Sequence, residues 1–213
     1  MNIKDYKYNG KRVDLSYRVF TPDEYKDLPL LICLHGAGER GIDDLDILYR
    51  HSIPKLIYDG REIPAVVLCP QCPKDMVWDN LVFEVKDIID KVVAEYGILS
   101  DRIVLTGSSM GGFGTWAMGL AYPDFFAAIA PVCGGGMAWR SGLIARAKTP
   151  VLAYHGTDDV SVVPEYSKIM IERVKREGGD AELVLLDGMG HNDGADYAYR
   201  ETKLVDWLLS KRR

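Results

Sequence analysis

The feature that most constrains this chain is a regular succession of short apolar runs with helical stretches between them. The runs are Asp14 to Phe20, Leu30 to Leu34, Ala65 to Cys69, Arg102 to Thr106, Ala127 to Val132, Val151 to His155 and Ala181 to Leu186. Their length and their richness in Val, Ile and Leu predict β-strands. The later runs are nearly unbroken rather than alternating, the pattern of a parallel sheet covered on both faces. Between them, Val82, Val85, Ile88, Ile89, Val92, Val93 and Tyr96 recur at three-and-four spacing, which predicts a helix with one apolar stripe, ending at Gly97. Further helices are predicted over Phe113 to Ala121, over Pro164 to Glu177 with its proline in the first turn, and over Ala195 to Leu209. Such alternation implies an α/β sandwich with a mostly parallel central sheet, helices on both faces and right-handed crossovers. With 213 residues, 47% of them hydrophobic, the chain can bury a substantial core and is short enough to form one domain, residues 1 to 213.

Charge and cysteine content narrow the partners. The formal charge is −5, with Lys and Arg scattered rather than blocked, so no footprint for nucleic acid or an anionic membrane is present. Met1 to Gly10 alternates charged residues and tyrosines without an apolar segment, and no apolar stretch approaches a membrane span. A cytoplasmic location is expected. Cys33 and Cys133 lie in or beside apolar runs and are read as small buried hydrophobes. Cys69 and Cys72 form a C-P-Q-C pair, but no second pair and no close histidine pair completes a metal site, so these too are read as structural.

In a sheet of this type ligands bind beyond the carboxyl ends of the strands. The most informative strand end is Gly107-Ser108-Ser109-Met110-Gly111, a G-x-S-x-G pentapeptide between the run ending at Thr106 and the helix predicted from Phe113. The strand, sharp turn and helix present a serine at an exposed apex, with glycines allowing strand and helix to approach closely. Ser109 is the candidate nucleophile, while Ser108 is expected to face away and bond locally. A serine hydroxyl at neutral pH needs an imidazole to take its proton, and the imidazole needs a carboxylate to fix its tautomer.

The chain has four histidines. His35 and His155 directly precede glycines at strand ends and are read as loop braces, and His51 as structural. His191 follows the final strand in a glycine-rich loop and comes last in the order Ser, acid, His, so it is the candidate base. Asp158 and Asp159 both follow the strand ending at His155 and either can reach His191; Asp159 is favoured. Asp193 and Asp196 lie too near His191 in sequence to brace its far nitrogen. An oxyanion hole requires backbone N–H groups, which Met110 in the elbow and Ala37 in the loop after Leu34 can supply.

These segments together resemble the α/β-hydrolase superfamily and, within it, the small bacterial phospholipase/carboxylesterase group, which includes predicted peptidases and feruloyl-esterase-like enzymes. The matching stretches are L-H-G-A-G-E-R-G from Leu34 to Gly41, C-P-Q-C-P with Trp78 shortly after, Asp101 to Trp116, P-V-C-G-G-G from Pro131 to Gly136, H-G-T-D-D and the G-H at His191. The resemblance implies an α/β-hydrolase fold with Ser109 as nucleophile, His191 as base and Asp159 as acid, four residues after the histidine of H-G-x-x-D. The chain departs from that pattern by an extra residue between Asp159 and Pro164, which keeps Asp158 in play. It implies acyl transfer through an acyl-enzyme on a short-chain or aryl ester, feruloyl or acetyl in type, free or carried on a carbohydrate, with no cofactor and no metal.

Only Cys133 to Thr149 separates two strands where lids are commonly inserted, so no substantial lid is expected. The open cleft is expected to be walled by Trp78, Trp139 or Met110, with Trp116 in the core and Glu39 paired to Arg40. A peptidase or thioesterase on the same residues, or a non-catalytic binding module on the same fold, are the competing functions. Oligomeric state is not legible.

Overall fold

A computed structural model describes residues 1–213. Its strands are β1 (Asn2–Tyr8), β2 (Leu15–Thr21), β3 (Leu30–Leu34), β4 (Val66–Gln71), β5 (Ile103–Ser108), β6 (Ala128–Val132), β7 (Val151–Gly156) and β8 (Ala181–Leu186). They form one sheet in the order β1-β2-β4-β3-β5-β6-β7-β8. β1 and β2 run antiparallel at one edge, and every pairing from β4 to β8 is parallel. The helices are α1 (Ser52–Tyr58), α2 (Val82–Tyr96), α3 (Met110–Ala121), α4 (Gly142–Ala147), α5 (Glu165–Arg176), α6 (His191–Glu201) and α7 (Leu204–Leu209).

The unbroken apolar strands are explained by two separate cores. In β3, Leu30, Ile32 and Leu34 pack beneath α2, α3, α4 and α5, whereas Leu31 and Cys33 point to the opposite face beneath α1, α6 and α7. Successive side chains of a strand alternate faces, so a strand covered on both sides has no polar position to spare. Trp116 is buried in the first of these cores, as expected. The stripe of α2 buries Val85, Ile88, Ile89 and Val92, and Gly97 ends the helix with φ 65° and its N–H on the Val93 carbonyl.

Beyond α1 and α4, short helices that no predicted helix covered, two elements differ from the sequence reading. β1 was not expected, because Asn2 to Asp5 are exposed and carry no inward apolar face. It forms by tertiary pairing: Tyr6 stacks on Tyr17 of β2 with ring centroids 4.9 Å apart, and Arg18 donates two hydrogen bonds to Asp5. The helix expected over Ala195 to Leu209 is two helices. Thr202 adopts an extended conformation between them, where its hydroxyl donates to the Ala198 carbonyl and accepts the Leu204 N–H. A side chain serving as both stop and start is a local option that periodicity does not register. The segment from Cys133 to Thr149 holds only a short 3-10 turn and α4, leaving no lid.

Candidate active site

The parallel topology brings the ends of β3, β5 and β7 and the start of α6 to one edge of the sheet. Ser109 lies at the turn from β5 to α3, with φ 57° and ψ −120°. A non-glycine residue in that region costs roughly 1–3 kcal/mol and persists only when its surroundings enforce it. Two glycines do so here. A Cβ on Gly107 would overlap the Gly111 carbonyl, and one on Gly111 would overlap the Leu34 carbonyl, so only glycine lets β5, α3 and β3 meet. Ser108 faces inward, its hydroxyl 3.1 Å from that of Ser52.

His191 is not in a loop, as the glycines around it suggested, but is the first residue of α6. Its Nε2 is 2.8 Å from Ser109 Oγ and its Nδ1 is 2.6 Å from Asp159 Oδ2. Asp159 is 3% exposed, and its other oxygen accepts the N–H groups of Ser161 and Val162, both at 2.9 Å. Burial pushes the Asp159 carboxyl up, but the hydrogen bonds from His191, Val162 and Ser161 outweigh it and hold the group below its ordinary value. Asp158 is exposed, accepts the Thr157 hydroxyl and does not meet His191. Asp196 bonds His51 instead, at 3.3 Å.

The other histidines brace loops. His35 accepts the Cys72 N–H through Nε2 at 2.9 Å, and burial pushes it down to about 4. His155 is buried with Nδ1 2.7 Å from Ser167 Oγ and Nε2 2.7 Å from the Val162 carbonyl. His51 does more than the structural role expected of it, since it also lines the cleft around Ser109.

The loop after β3 makes a 3-10 turn, Ala37–Glu39. The N–H of Ala37 opens that turn and the N–H of Met110 opens α3, so neither has a partner inside its own element. A Cβ on Gly36 would lie 3.8 Å from Ser109 Cβ, which places the loop against the serine. The loop is pinned from below. Trp78 donates its indole N–H to the His35 carbonyl at 2.9 Å, Gln71 donates to the Glu39 carbonyl at 3.1 Å, and the Gly41 N–H donates to the Cys72 carbonyl at 2.9 Å.

Several expected contacts are corrected by these placements. Trp78 is 1% exposed and is a strut beneath the loop, not a wall of the cleft. Trp139 is 79% exposed but stands outside the cleft lining. Met110 packs its side chain against the core. Glu39 and Arg40 form no ion pair: Arg40 donates to the Ala37 carbonyl at 3.1 Å, and Glu39 is buried. The cleft, about 350 Å³, is walled instead by Arg50, His51 and Asn192 beside the Gly36 loop, Ser109 and His191. No motif marks Arg50 or Asn192 in the sequence, because they arrive from a turn and a helix that only the fold brings together. A larger hollow of about 560 Å³ near Asp23, Glu24 and Glu62 lies before the amino ends of β3 and β4 and holds neither serine nor histidine.

Donor atoms of Cys133, Asp159 and His191 lie within 4.8 Å of one another, a spacing that could suit a metal. Burial pushes the Cys133 thiol up to about 12, and His191 and Asp159 are already joined by a short hydrogen bond. The cluster is therefore an imidazole–carboxylate pair with a neutral thiol beside it. Cys69 and Cys72 are free, buried thiols.

A model of the phospholipase/carboxylesterase family matches residues 71–197. Carboxylesterase SOBER1 of Arabidopsis thaliana is 29% identical over 73% of this chain and 67% of its own length. A probable carboxylesterase, SOBER1-like, of the same plant is 32% identical over 70% of this chain and 59% of its own. Among solved structures, a thermostable esterase superposes with TM-score 0.84 at 28% identity, covering 99% of this chain and 63% of that one. A feruloyl esterase module from Clostridium thermocellum, complexed with sinapinate, superposes with TM-score 0.77 at 19% identity, covering 99% of this chain and 88% of that one, a likeness of fold. Sheet order, glycine-enforced elbow and family match agree, and the chain belongs to the phospholipase/carboxylesterase family, the carboxylesterase-type hydrolases built on the α/β-hydrolase fold.

Proposed function

We propose that the protein is a serine carboxylic-ester hydrolase in which Ser109, His191 and Asp159 form a catalytic triad. The observation that carries this reading is the continuous hydrogen-bonded chain from Ser109 Oγ through His191 to the buried Asp159 carboxylate. Ser109 Oγ attacks the ester carbonyl carbon as His191 Nε2 takes its proton, and Asp159 stabilises the imidazolium without being protonated. The carbonyl oxygen, now negative, is met by the N–H groups of Ala37 and Met110. Collapse breaks the bond to the alcohol, which leaves with the proton from His191. Water then attacks the acyl-enzyme with His191 again as base, releasing the acid and restoring the serine.

The two flanks of Ser109 support a division of the substrate. His191 must hand its proton to the departing oxygen, so the alcohol lies on its side, in the cleft bounded by Arg50, His51 and Asn192. That lining favours a polar, hydroxylated alcohol such as a carbohydrate. On the side of α3 and α5, Phe113 stands one turn beyond Ser109 and meets Tyr166 edge-on at 5.7 Å, while Val163 is exposed on the Asp159 loop. This rim suits a short or aryl acyl group.

Replacing Ser109 with Ala is expected to lower kcat by about 10³-fold or more and to abolish labelling by a fluorophosphonate probe, with Tm preserved. Retained turnover in that variant would refute the triad. A panel of acetyl, feruloyl, nitrophenyl, thioester and peptide substrates reads the preference directly.

A further inference from the structure

His155 is a wholly buried imidazole that the proton transfers of the triad do not use, yet it lies against the carboxylate on which they depend. Its two ring nitrogens face different chemistry. Nε2 is 2.7 Å from the Val162 carbonyl oxygen and 3.3 Å from Asp159 Oδ2, so its neighbours are oxygens that only accept. Nδ1 is 2.7 Å from Ser167 Oγ, a hydroxyl that can donate. A neutral imidazole has one ring hydrogen, and burial holds His155 below its ordinary value. The partners therefore place that hydrogen on Nε2. The single proton of Ser167 then lies between His155 Nδ1 and the Gly134 carbonyl, which is 2.8 Å from Oγ.

Val162 carries this contact to the acid. Its N–H donates to Asp159 Oδ1 at 2.9 Å, its carbonyl accepts from His155 Nε2, and neither group bonds to other backbone. The loop around it has little apolar anchorage, since Val160 is 91% exposed and Val163 43%. The aim of the Asp159 carboxylate thus rests mainly on polar contacts. We propose that His155 is a positioning residue for the triad acid: with its hydrogen on Nε2 it holds the Val162 carbonyl, keeping the Val162 N–H on Asp159 and Asp159 turned to His191. The inference rests on the triad reading above.

The ring also joins three segments that meet behind the site. His155 stands near the end of β7, before the Asp159 loop, and Ser167 lies in the first turn of α5, after it. Gly134, which accepts from Ser167, follows β6 and packs on α3 so closely that a Cβ there would lie 2.4 Å from the Gly112 carbonyl carbon. Hydrogen bonds therefore run from Ser167 through His155, Val162 and Asp159 to His191. A rigid ring with an acceptor on one side and a donor on the other sets both of its contacts at once.

The test replaces the ring by amides of two lengths. In His155→Gln the amide nitrogen can take the place of Nε2 and donate to Val162, whereas in His155→Asn the amide reaches only the place of Nδ1, beside Ser167. Both variants, the parent and Ser109→Ala are read on a short nitrophenyl ester by kcat, KM and Tm. Proton NMR follows the low-field resonance of the His191–Asp159 hydrogen bond, and nitrogen-15 NMR of the parent locates the hydrogen of His155. His155→Asn is expected to lower kcat about 10- to 100-fold with KM changed by less than about threefold, and to shift the low-field resonance. His155→Gln is expected to keep that resonance and to hold kcat within about fivefold of the parent. The nitrogen spectrum is expected to show the hydrogen on Nε2, and it carries the test together with His155→Gln if the asparagine variant does not fold. An Nε2 without hydrogen in the parent would overturn the inference, as would a folded His155→Asn that turns over as fast as His155→Gln. Turnover surviving in Ser109→Ala would instead refute the triad while leaving the nitrogen spectrum unchanged, so the two failures are separable.

Discussion

Asp159 touches two histidines, and the difference between their surroundings explains why only one is placed to act as a base. Its Oδ2 is 2.6 Å from His191 Nδ1 and 3.3 Å from His155 Nε2. The His155 ring is wholly buried, and both nitrogens are taken up by Ser167 and the Val162 carbonyl. Burial pushes its pKa down, keeping it neutral. The His191 side chain is 19% exposed and turns its second nitrogen to Ser109. The same residue type beside the same carboxylate is thus a fixed brace in one place and, in the proposed triad, the proton carrier in the other. What separates them is a second nitrogen turned to the Ser109 hydroxyl and access to the cleft, not proximity to an acid.

The sharpest way to break this comparison is to delete each ring in turn. His191→Ala is expected to lower kcat by about 10³-fold or more while leaving Tm nearly unchanged, since the side chain heads a helix at the cleft. His155→Ala is expected to show the reverse balance. It strands the Val162 carbonyl and leaves Ser167 Oγ only its bond to the Gly134 carbonyl, at a cost of about 1–3 kcal/mol of stability, with a smaller loss of turnover. Thermal melts and steady-state kinetics on both proteins check this, and a catalytic loss in His155→Ala as large as that in His191→Ala would dissolve the distinction.

The carboxylates provide the next test. Asp159→Asn preserves shape but removes the charge that favours imidazolium, and is expected to lower kcat by about 10²- to 10⁴-fold. Asp158→Asn, on an exposed side chain, is expected to stay within about twofold. The opposite ranking in measured turnover would move the acid to Asp158.

The smallest effect is in the pH dependence of stability. His155 and His35 are held neutral by burial, with folded values below the unfolded one. Their contribution is therefore fully present above about pH 6.5 and is lost as pH falls toward the folded values. Asp159, held below its ordinary value, contributes above about pH 4 and loses that contribution only at more acid pH. Tm measured from pH 7 to pH 5 is expected to fall in the parent and to fall less steeply in His155→Gln. An unchanged slope would mean that His155 does not couple to folding in this window.

Much of the architecture was legible because the elements that build it are the most strongly patterned. β3, β5, β7 and β8 coincide with apolar runs to within two residues at each end, and α2 ends at its glycine. The edge strand β1 was not legible, since Asn2 to Asp5 are exposed and it exists through pairing with β2. The elbow could be read because glycines at Gly107 and Gly111 are demanded by close backbone approach, a local requirement written in residue type. The walls of the cleft could not. Trp78 has the size and character of a substrate wall, and only its buried bond to His35 shows it to be a strut.

By itself the sequence determined the α/β alternation, the family, the serine at the elbow and the histidine last in chain order, because each depends on local pattern or on the order of residues. The tertiary structure decided which of two adjacent aspartates turns inward, which of the histidines turns its second nitrogen to Ser109, and which side chains line the cleft. Those depend on distance and burial across elements far apart in the chain. A single extra residue between Asp159 and Pro164 leaves spacing ambiguous, yet in the fold Asp159 is enclosed by His191, Ser161 and Val162 while Asp158 faces solvent.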